Sequence, residues 1–385
     1  MLALLLACGP DIHSLYEAER EAALSVASER PADWQPDLVI AIGENALATA
    51  VDAAATAALA TGANLTLALP LGASAKISPT FTVQKATLSP SDACAACLHF
   101  DLEGVGRVGW SLANLGDRFT AILEVGGVME LRVEDGHRVV AKPFRVGKVE
   151  LKIGDVGSLS ASPARLLQDF VRRAIGENLP PIPLADLAAS GLPMRDLRLS
   201  TAAGQVRIEM LSNVPGARPA TVGAPGPDAI ILGLSETALG GLLRRAAFEK
   251  GLLQYDTAID PRAIEVEGST FRLDLRVWRL AGAGWYRDYE VQGDLALADK
   301  KLKLTPKTVV EVAQSPGAEL ADPIAALFES AILDAIASGL DRSLPAARRE
   351  DVGAVGLRAV ASQVRGENDT LIVEGELRVV KGKDE

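Results

Sequence analysis

Aromatic residues make up only 4% of this 385-residue chain, and there are just three cysteines and three histidines. An interior built without rings has to be filled by Ala, Leu, Val and Ile. His13, His99 and His137 are scattered, and no GxSxG, Walker loop or HExxH occurs, so hydrolytic, nucleotide-binding and metalloprotease chemistry find no foothold. Positive charge is also short: 39 basic against 50 acidic residues leave a net −11. That balance excludes the basic footprint that nucleic acid requires. No uninterrupted apolar run approaches the roughly 18 residues of a membrane span. Yet 48% of the chain is hydrophobic. That surplus must be buried in the fold or around something the fold carries.

What the chain does contain, it contains twice. Residues 38–59 read LVIAIGENALATAVDAAATAAL and residues 230–252 read IILGLSETALGGLLRRAAFEKGL. Setting Glu44 on Glu236 places an apolar strand before, and an amphipathic helix after, in both copies. A second pair follows. Ser162-Pro163 and Asp322-Pro323 each open a helical pattern with a side-chain cap and then Pro at the first helical position. Hairpin-like sequence follows each, at 194–211 and 357–380. A repeat this long predicts two domains, 37–214 and 228–381. The linker between them, 215–227, lies in a stretch (213–228) with four prolines and three glycines in sixteen residues. Residues 9–36 are polar, with a short helical pattern, and read as a tether.

On the first helix Leu47, Val51, Ala54 and Ala58 share one face, opposite Asn45, Thr49, Asp52 and Thr56. Alternating segments from 64 to 153 and from 263 to 312 predict strands. In FRLDLRVWRL, Phe271, Leu273, Leu275 and Val277 point one way, and Arg272, Asp274, Arg276 and Trp278 the other, giving one buried and one wet face. Few strands are separated by helices, so the sheets should be antiparallel and the class α+β.

Two motifs invite chemistry. Cys94-Ala-Ala-Cys97 is expected to be a local disulfide pinning a turn, with a redox pair or half a zinc site as the alternatives. Gly104-Val-Gly106-Arg-Val-Gly109 matches GxGxxG, but strand sequence follows where a dinucleotide site needs a helix, so hairpin or bend glycines are expected. Neither metal nor cofactor is expected. The apolar face of the first helix is mostly alanine. Alanine fills little volume, so a sheet curled around that helix leaves space that an acyl chain would fill.

The repeated order of helix, twisted antiparallel sheet, helix and strands, joined by a Pro-rich linker, resembles the tubular lipid-binding superfamily. Within it, the chain looks like the two-barrel bactericidal/permeability-increasing protein family and its lipid-transfer relatives. The resemblance covers about 37–381 and implies two tandem tubular barrels. Each would be a highly twisted antiparallel sheet wrapped on two helices, and the two would share a central sheet in a boomerang shape. It implies a non-enzymatic lipid binder with apolar pockets between helices and sheet. The expected walls are Leu47, Val51, Ala54, Ala58, Leu167, Phe170 and Val171 in the first domain, and Leu239, Leu242, Leu243, Leu327 and Ile332 in the second. Phospholipid or fatty acyl chains are the expected ligands. Residues 5–8, LLAC, resemble the lipobox of bacterial lipoproteins, though no basic residue precedes them. That resemblance implies lipidation at Cys8, residues 1–8 as a signal remnant, and an outer-membrane anchor facing the periplasm. The alternative function is an envelope lipoprotein acting as a protein-interaction scaffold without lipid cargo.

Overall fold

The computed structural model describes residues 11–26, 33–60, 65–68, 74–112, 115–153, 161–177, 179, 181–187, 194–202, 204–215, 218–298, 301–316, 318, 349–352 and 355–381. The chain begins with α1 (Ile12–Leu24), β1 (Leu38–Gly43) and α2 (Glu44–Ala60). A meander follows: β2 (Leu65–Ala68), β3 (Ser74–Ser91), β4 (Cys97–Leu112), β5 (Leu115–Glu134) and β6 (Arg138–Ile153). Then come α3 (Ala161–Gly176), β7 (Ile182–Asp186), β8 (Met194–Ala202) and β9 (Gln205–Ser212). The second copy starts with β10 (Ala229–Ser235) and α4 (Glu236–Lys250). Its own meander is β11 (Thr257–Glu267), β12 (Thr270–Arg279), β13 (Trp285–Ala298) and β14 (Lys301–Gln314). Strands β15 (Arg349–Val352), β16 (Val355–Glu367) and β17 (Thr370–Lys381) complete it. The helix expected from Asp322-Pro323, with Leu327 and Ile332, lies outside the described residues.

All strand pairs are antiparallel, and helices are segregated from the sheets, which is the α+β class. The strands form three sheets: a six-stranded one (β2 to β7 in order), a four-stranded one (β11 to β14 in order), and a seven-stranded one ordered β15-β16-β17-β10-β1-β9-β8. Part of the first copy's extra length goes into β2 and strands of 16 to 20 residues, against 10 to 14 in the second meander.

Both copies open in the same way. β1 leads straight into α2 and β10 straight into α4, with Glu44 and Glu236 as the first helical residues. In each, the amide of that Glu donates to a carbonyl in the turn of the copy's own hairpin. Glu44 reaches Gly204 at 3.1 Å, between β8 and β9, and Glu236 reaches Asp369 at 3.0 Å, between β16 and β17. The remaining free donors at each helix start are met differently. The Ser235 hydroxyl accepts from the Ala238 amide, whereas Asn45 and Ala46 donate to the Pro227 carbonyl at the end of the linker. That approach leaves no room for a side chain at Gly43, where an added Cβ would stand 2.3 Å from the Gly226 carbonyl oxygen.

The described part of the linker is packed against the fold. Ala220 and Val222 cover Val39, Ala41, Ile231 and Ile372 on one face of the seven-stranded sheet. The Ala220 amide donates to the Pro36 carbonyl and the Thr221 amide to the Thr370 hydroxyl. The other face of that sheet joins an apolar core that runs without a break from α2 and α3 through to α4 and the four-stranded sheet.

The tether reading fails over α1. Asp11 caps this helix by accepting from the His13 amide, and the helix docks on α4. Ile12 and Tyr16 pack with Phe248, Ala258 and Trp278. The wet-face reading of β12 fails at Trp278 for the same reason. Arg272 and Asp274 are exposed, but Trp278 is fully buried, with Tyr16 and Tyr286 edge-on to its ring. Among the described residues, no helix is long and apolar enough to cross a membrane.

Candidate functional site

The expected lining residues divide cleanly. On α2, Leu47, Val51, Ala54 and Ala58 are buried. They face the sheet side together with Leu167 and Val171 of α3, while Phe170 is partly buried against the same core. On α4, Leu239, Leu242 and Leu243 are buried in that core. All ten described residues therefore belong to one continuous interior rather than to two separate clusters. The alanine-rich face is real: Ala46, Ala48, Ala50, Ala54, Ala55 and Ala58 are all buried. The rings of Phe81 and Phe100 reach this interior from β3 and β4.

A cleft of about 620 Å³ opens at the surface beside α4. Its floor is apolar, with Val214, Leu242 and Ile264, and all three also belong to the core or pack against it. Its rim carries Arg218, Arg244, Arg245 and Arg262, opposed by Glu236 and Glu265. The end of α1 closes one side through Ala22, Ala23 and Ser25. Its volume falls within the range of ligand pockets, with a lining about half polar. Of the residues expected from sequence, only Leu242 lines it. The missed signal was Gly240-Gly241, since glycine inside a helix costs about 1 kcal/mol against alanine and needs a reason. At Gly241 the reason is Val214, which would lie 2.5 Å from an added Cβ.

An ionic cluster fastens α1 beside this cleft. Arg244 donates to both Asp260 oxygens, at 2.6 and 3.1 Å, and to Glu19. Asp260 is fully buried, and burial pushes its carboxyl above the usual range, with the Arg244 guanidinium partly offsetting that. Glu19 is also pushed up by burial, but the hydrogen bond and charge of Arg244 outweigh it and hold the carboxyl below its ordinary value. At the cleft rim, burial raises the Glu236 carboxyl, although it accepts from the Val266 amide at 2.6 Å. Asp37, just before β1, is raised by burial too, although its carboxylate accepts from the Ser212 amide and hydroxyl.

Cys94 and Cys97 form a disulfide across the turn between β3 and β4, as expected. The turn is tied to neighbouring strands. Leu131 donates to the Ala96 carbonyl, and the Thr201 hydroxyl on β8 donates to the Cys97 carbonyl at 3.2 Å. Closing so short a loop is worth about 2 kcal/mol in the chain-entropy account. Reduction is therefore expected to lower the free energy of unfolding, read from urea denaturation, by no more than about 2 kcal/mol while the protein still unfolds cooperatively. Loss of cooperativity on reduction would contradict a purely local role.

The GxGxxG glycines are not in a hairpin or bend. Gly104, Gly106 and Gly109 lie inside β4; at the first two a neighbouring group comes too close for a side chain, whereas Gly109 meets only ordinary contacts. An added Cβ at Gly106 would meet the Phe81 ring at 2.1 Å, and one at Gly104 the Thr82 carbonyl oxygen at 2.7 Å. A ring lying over a strand glycine shields backbone that would otherwise be bare. The expectation for Cys8 lies outside the described residues. Among the described residues, no group of three or more His, Cys, Asp or Glu is placed to hold a metal ion.

No protein-family profile matches the chain. No curated protein matches it either. Among solved structures, it is similar to a lipopolysaccharide binding protein over 90% of this chain and 99% of that one, at 11% identity and a TM-score of 0.42. It is also similar to P47 of Clostridium botulinum E1 over 90% of this chain and 100% of that one, at 9% identity and a TM-score of 0.38. The functional reading therefore rests on this chain's own residues.

Proposed function

We propose that this protein is a non-enzymatic lipid binder of the bacterial cell envelope. Acyl chains would lie between the helices and the curved sheets of two tandem barrels of the tubular lipid-binding type. One observation carries the reading: the floor of the α4 cleft, Val214, Leu242 and Ile264, is also the wall of the continuous interior. An apolar tail entering between them would reach buried surface while an anionic headgroup met the rim arginines. Burying some sixteen methylenes is worth about 13 kcal/mol gross, at about 0.8 per CH₂. Association and ordering costs remove much of that, and the remainder suffices for co-purification.

The test is native mass spectrometry with lipid extraction on protein purified without detergent, followed by Ala54→Trp. Ala54 is fully buried on the alanine face. In a lipid-filled interior the indole displaces lipid and largely spares the fold. In a dry core it overpacks and destabilises by about 1–3 kcal/mol. Wild type without lipid, together with a variant that unfolds, would hand the case to the protein-interaction scaffold.

A further inference from the structure

Each of the four arginines at the rim of the α4 cleft has an acidic partner. Arg218 pairs with Asp369 at 3.6 Å, and Arg245 with Glu249 at 2.8 Å, one turn along α4. Arg244 holds the buried Asp260 through two contacts. Glu19 differs from the other acids because its carboxylate spans two of the four arginines. One oxygen meets Arg244, and the other lies 3.6 Å from Arg262. An anion bridging two guanidinium groups is also how a phosphate is held, so Glu19 occupies the place of a headgroup phosphate. The acids across the rim are turned to other partners: Glu265 bonds Arg272 at 2.8 Å, and Glu236 accepts from the Val266 amide.

The helix that carries Glu19 is fixed unevenly. Ile12, Tyr16, Glu19 and Ala23 recur at helical spacing on one face of α1, which docks on α4. Rings hold the first half: Ile12 and Tyr16 are buried with Phe248 and Trp278, and the His13 ring bonds the Gly282 carbonyl at 3.2 Å. The second half has Ala23 and Leu24, both only partly buried, and the ion pairs of Glu19. It is this half that closes the cleft, through Ala22, Ala23 and Ser25. A helix of 13 residues is marginal by itself, so its second half keeps its form only while docked. Arg244 does not depend on that docking. With Glu19 gone, both oxygens of Asp260 still hold the guanidinium in the cleft wall.

We propose that Glu19 is the built-in occupant of a headgroup site on Arg244 and Arg262, and that α1 is the gate of the cleft. An anionic phospholipid brings its phosphate to the two arginines, displaces the Glu19 carboxylate and frees the second half of α1 from the mouth. Ile12 and Tyr16 keep the first half seated. Ligand and gate are linked reciprocally, so whatever weakens the Glu19 contact strengthens phosphate binding. The gate selects for net negative headgroups, because phosphatidylcholine carries its own cation beside the phosphate and is a weaker rival of a carboxylate. This regulation rests on the reading of the cleft as the mouth of a lipid site.

The test uses the full chain with dihexanoyl phosphatidylglycerol or dihexanoyl phosphatidylcholine, each kept below its micelle concentration. Amide hydrogen exchange on the wild type reads the gate. Saturating phosphatidylglycerol should speed exchange at residues 19–24 by about five-fold or more, while β5 stays unchanged. Calorimetric titration reads the competition. Glu19→Gln keeps the shape of the side chain and removes its charge, and should tighten phosphatidylglycerol binding about three-fold or more, the scale of a partly exposed ion pair. Phosphatidylcholine binding should gain less. Arg262→Gln should weaken phosphatidylglycerol binding by a similar factor. Phosphatidylglycerol that binds while exchange at 19–24 stays unchanged or slows would overturn the gate and leave the lipid-binding reading standing. So would a Glu19→Gln variant whose affinity is unchanged, or rises equally for both lipids, since a merely loosened helix favours neither headgroup. Binding of neither lipid by either chain would remove the lipid-binding reading and this one with it.

Discussion

Replacing Arg244 by alanine is expected to lower the free energy of unfolding by about 3–5 kcal/mol, the range for removing one partner of a buried ion pair. The size comes from Asp260. Its carboxylate is fully buried and depends on the two-point contact with Arg244. Without the guanidinium the charge is stranded, since Arg262 reaches Glu19 instead, at 3.6 Å. Glu19 loses its main partner in the same step, so α1 is expected to loosen. Urea denaturation measures the first effect, and proteolysis between α1 and β1 the second. The double variant Arg244→Met/Asp260→Leu should recover most of the loss, because two apolar groups of similar volume need no counter-charge. A single-variant loss below about 1 kcal/mol would mean that water reaches Asp260 and that the cluster contributes as little as a surface pair.

Phe81→Ala should cost about 3–5 kcal/mol, the range for deleting a large core ring. Phe81 is fully buried on β3, and its ring fills the space left by Gly106 on the paired strand. The two positions should therefore be strongly non-additive. Gly106→Ala alone forces the ring aside and should cost about 1–3 kcal/mol. In the Phe81→Ala background the same methyl enters an empty site and should be neutral or stabilising. Full additivity in this cycle would show that the ring does not rest on the glycine. The cycle also bears on the lipid reading: cargo able to flow into the vacated volume would make the Phe81→Ala loss smaller in lipid-loaded protein than in stripped protein.

The sequence disclosed what repeats and what alternates. Glu44 and Glu236 start their helices as the alignment predicts. The hairpins over 194–211 and 357–380 form, and Cys94 and Cys97 join. These features are local: a cap, a period of two or 3.6, a short spacing. What was not legible depends on a partner far along the chain. α1 looks like a tether because its polar residues dominate, and only Trp278, some 260 positions on, explains why Ile12 and Tyr16 are where they are. Gly104 and Gly106 look like punctuation because the Phe81 ring and the Thr82 carbonyl that crowd them arrive from the neighbouring strand. The cleft was invisible because its floor joins α4, β11 and the start of the linker. The buried faces of α2 and α4 could be read, but not that they line one interior instead of two.

The pairing of β1 with β10 has a symmetry of its own. Ile40 lies opposite Leu232, Leu38 opposite Leu234 and Ile42 opposite Ile230. In the alignment that sets Glu44 on Glu236, Ile40 is the equivalent of Leu232, Leu38 of Ile230, and Ile42 of Leu234. Each position thus meets either its own counterpart or the counterpart of the residue that meets its own, which is the rule of an isologous contact about a two-fold axis. The seam through the middle of the seven-stranded sheet has the form of a homodimer interface written into one polypeptide. Within one polypeptide that contact is intramolecular, and the two copies differ around it: the first carries the longer meander strands and the second is covered by α1.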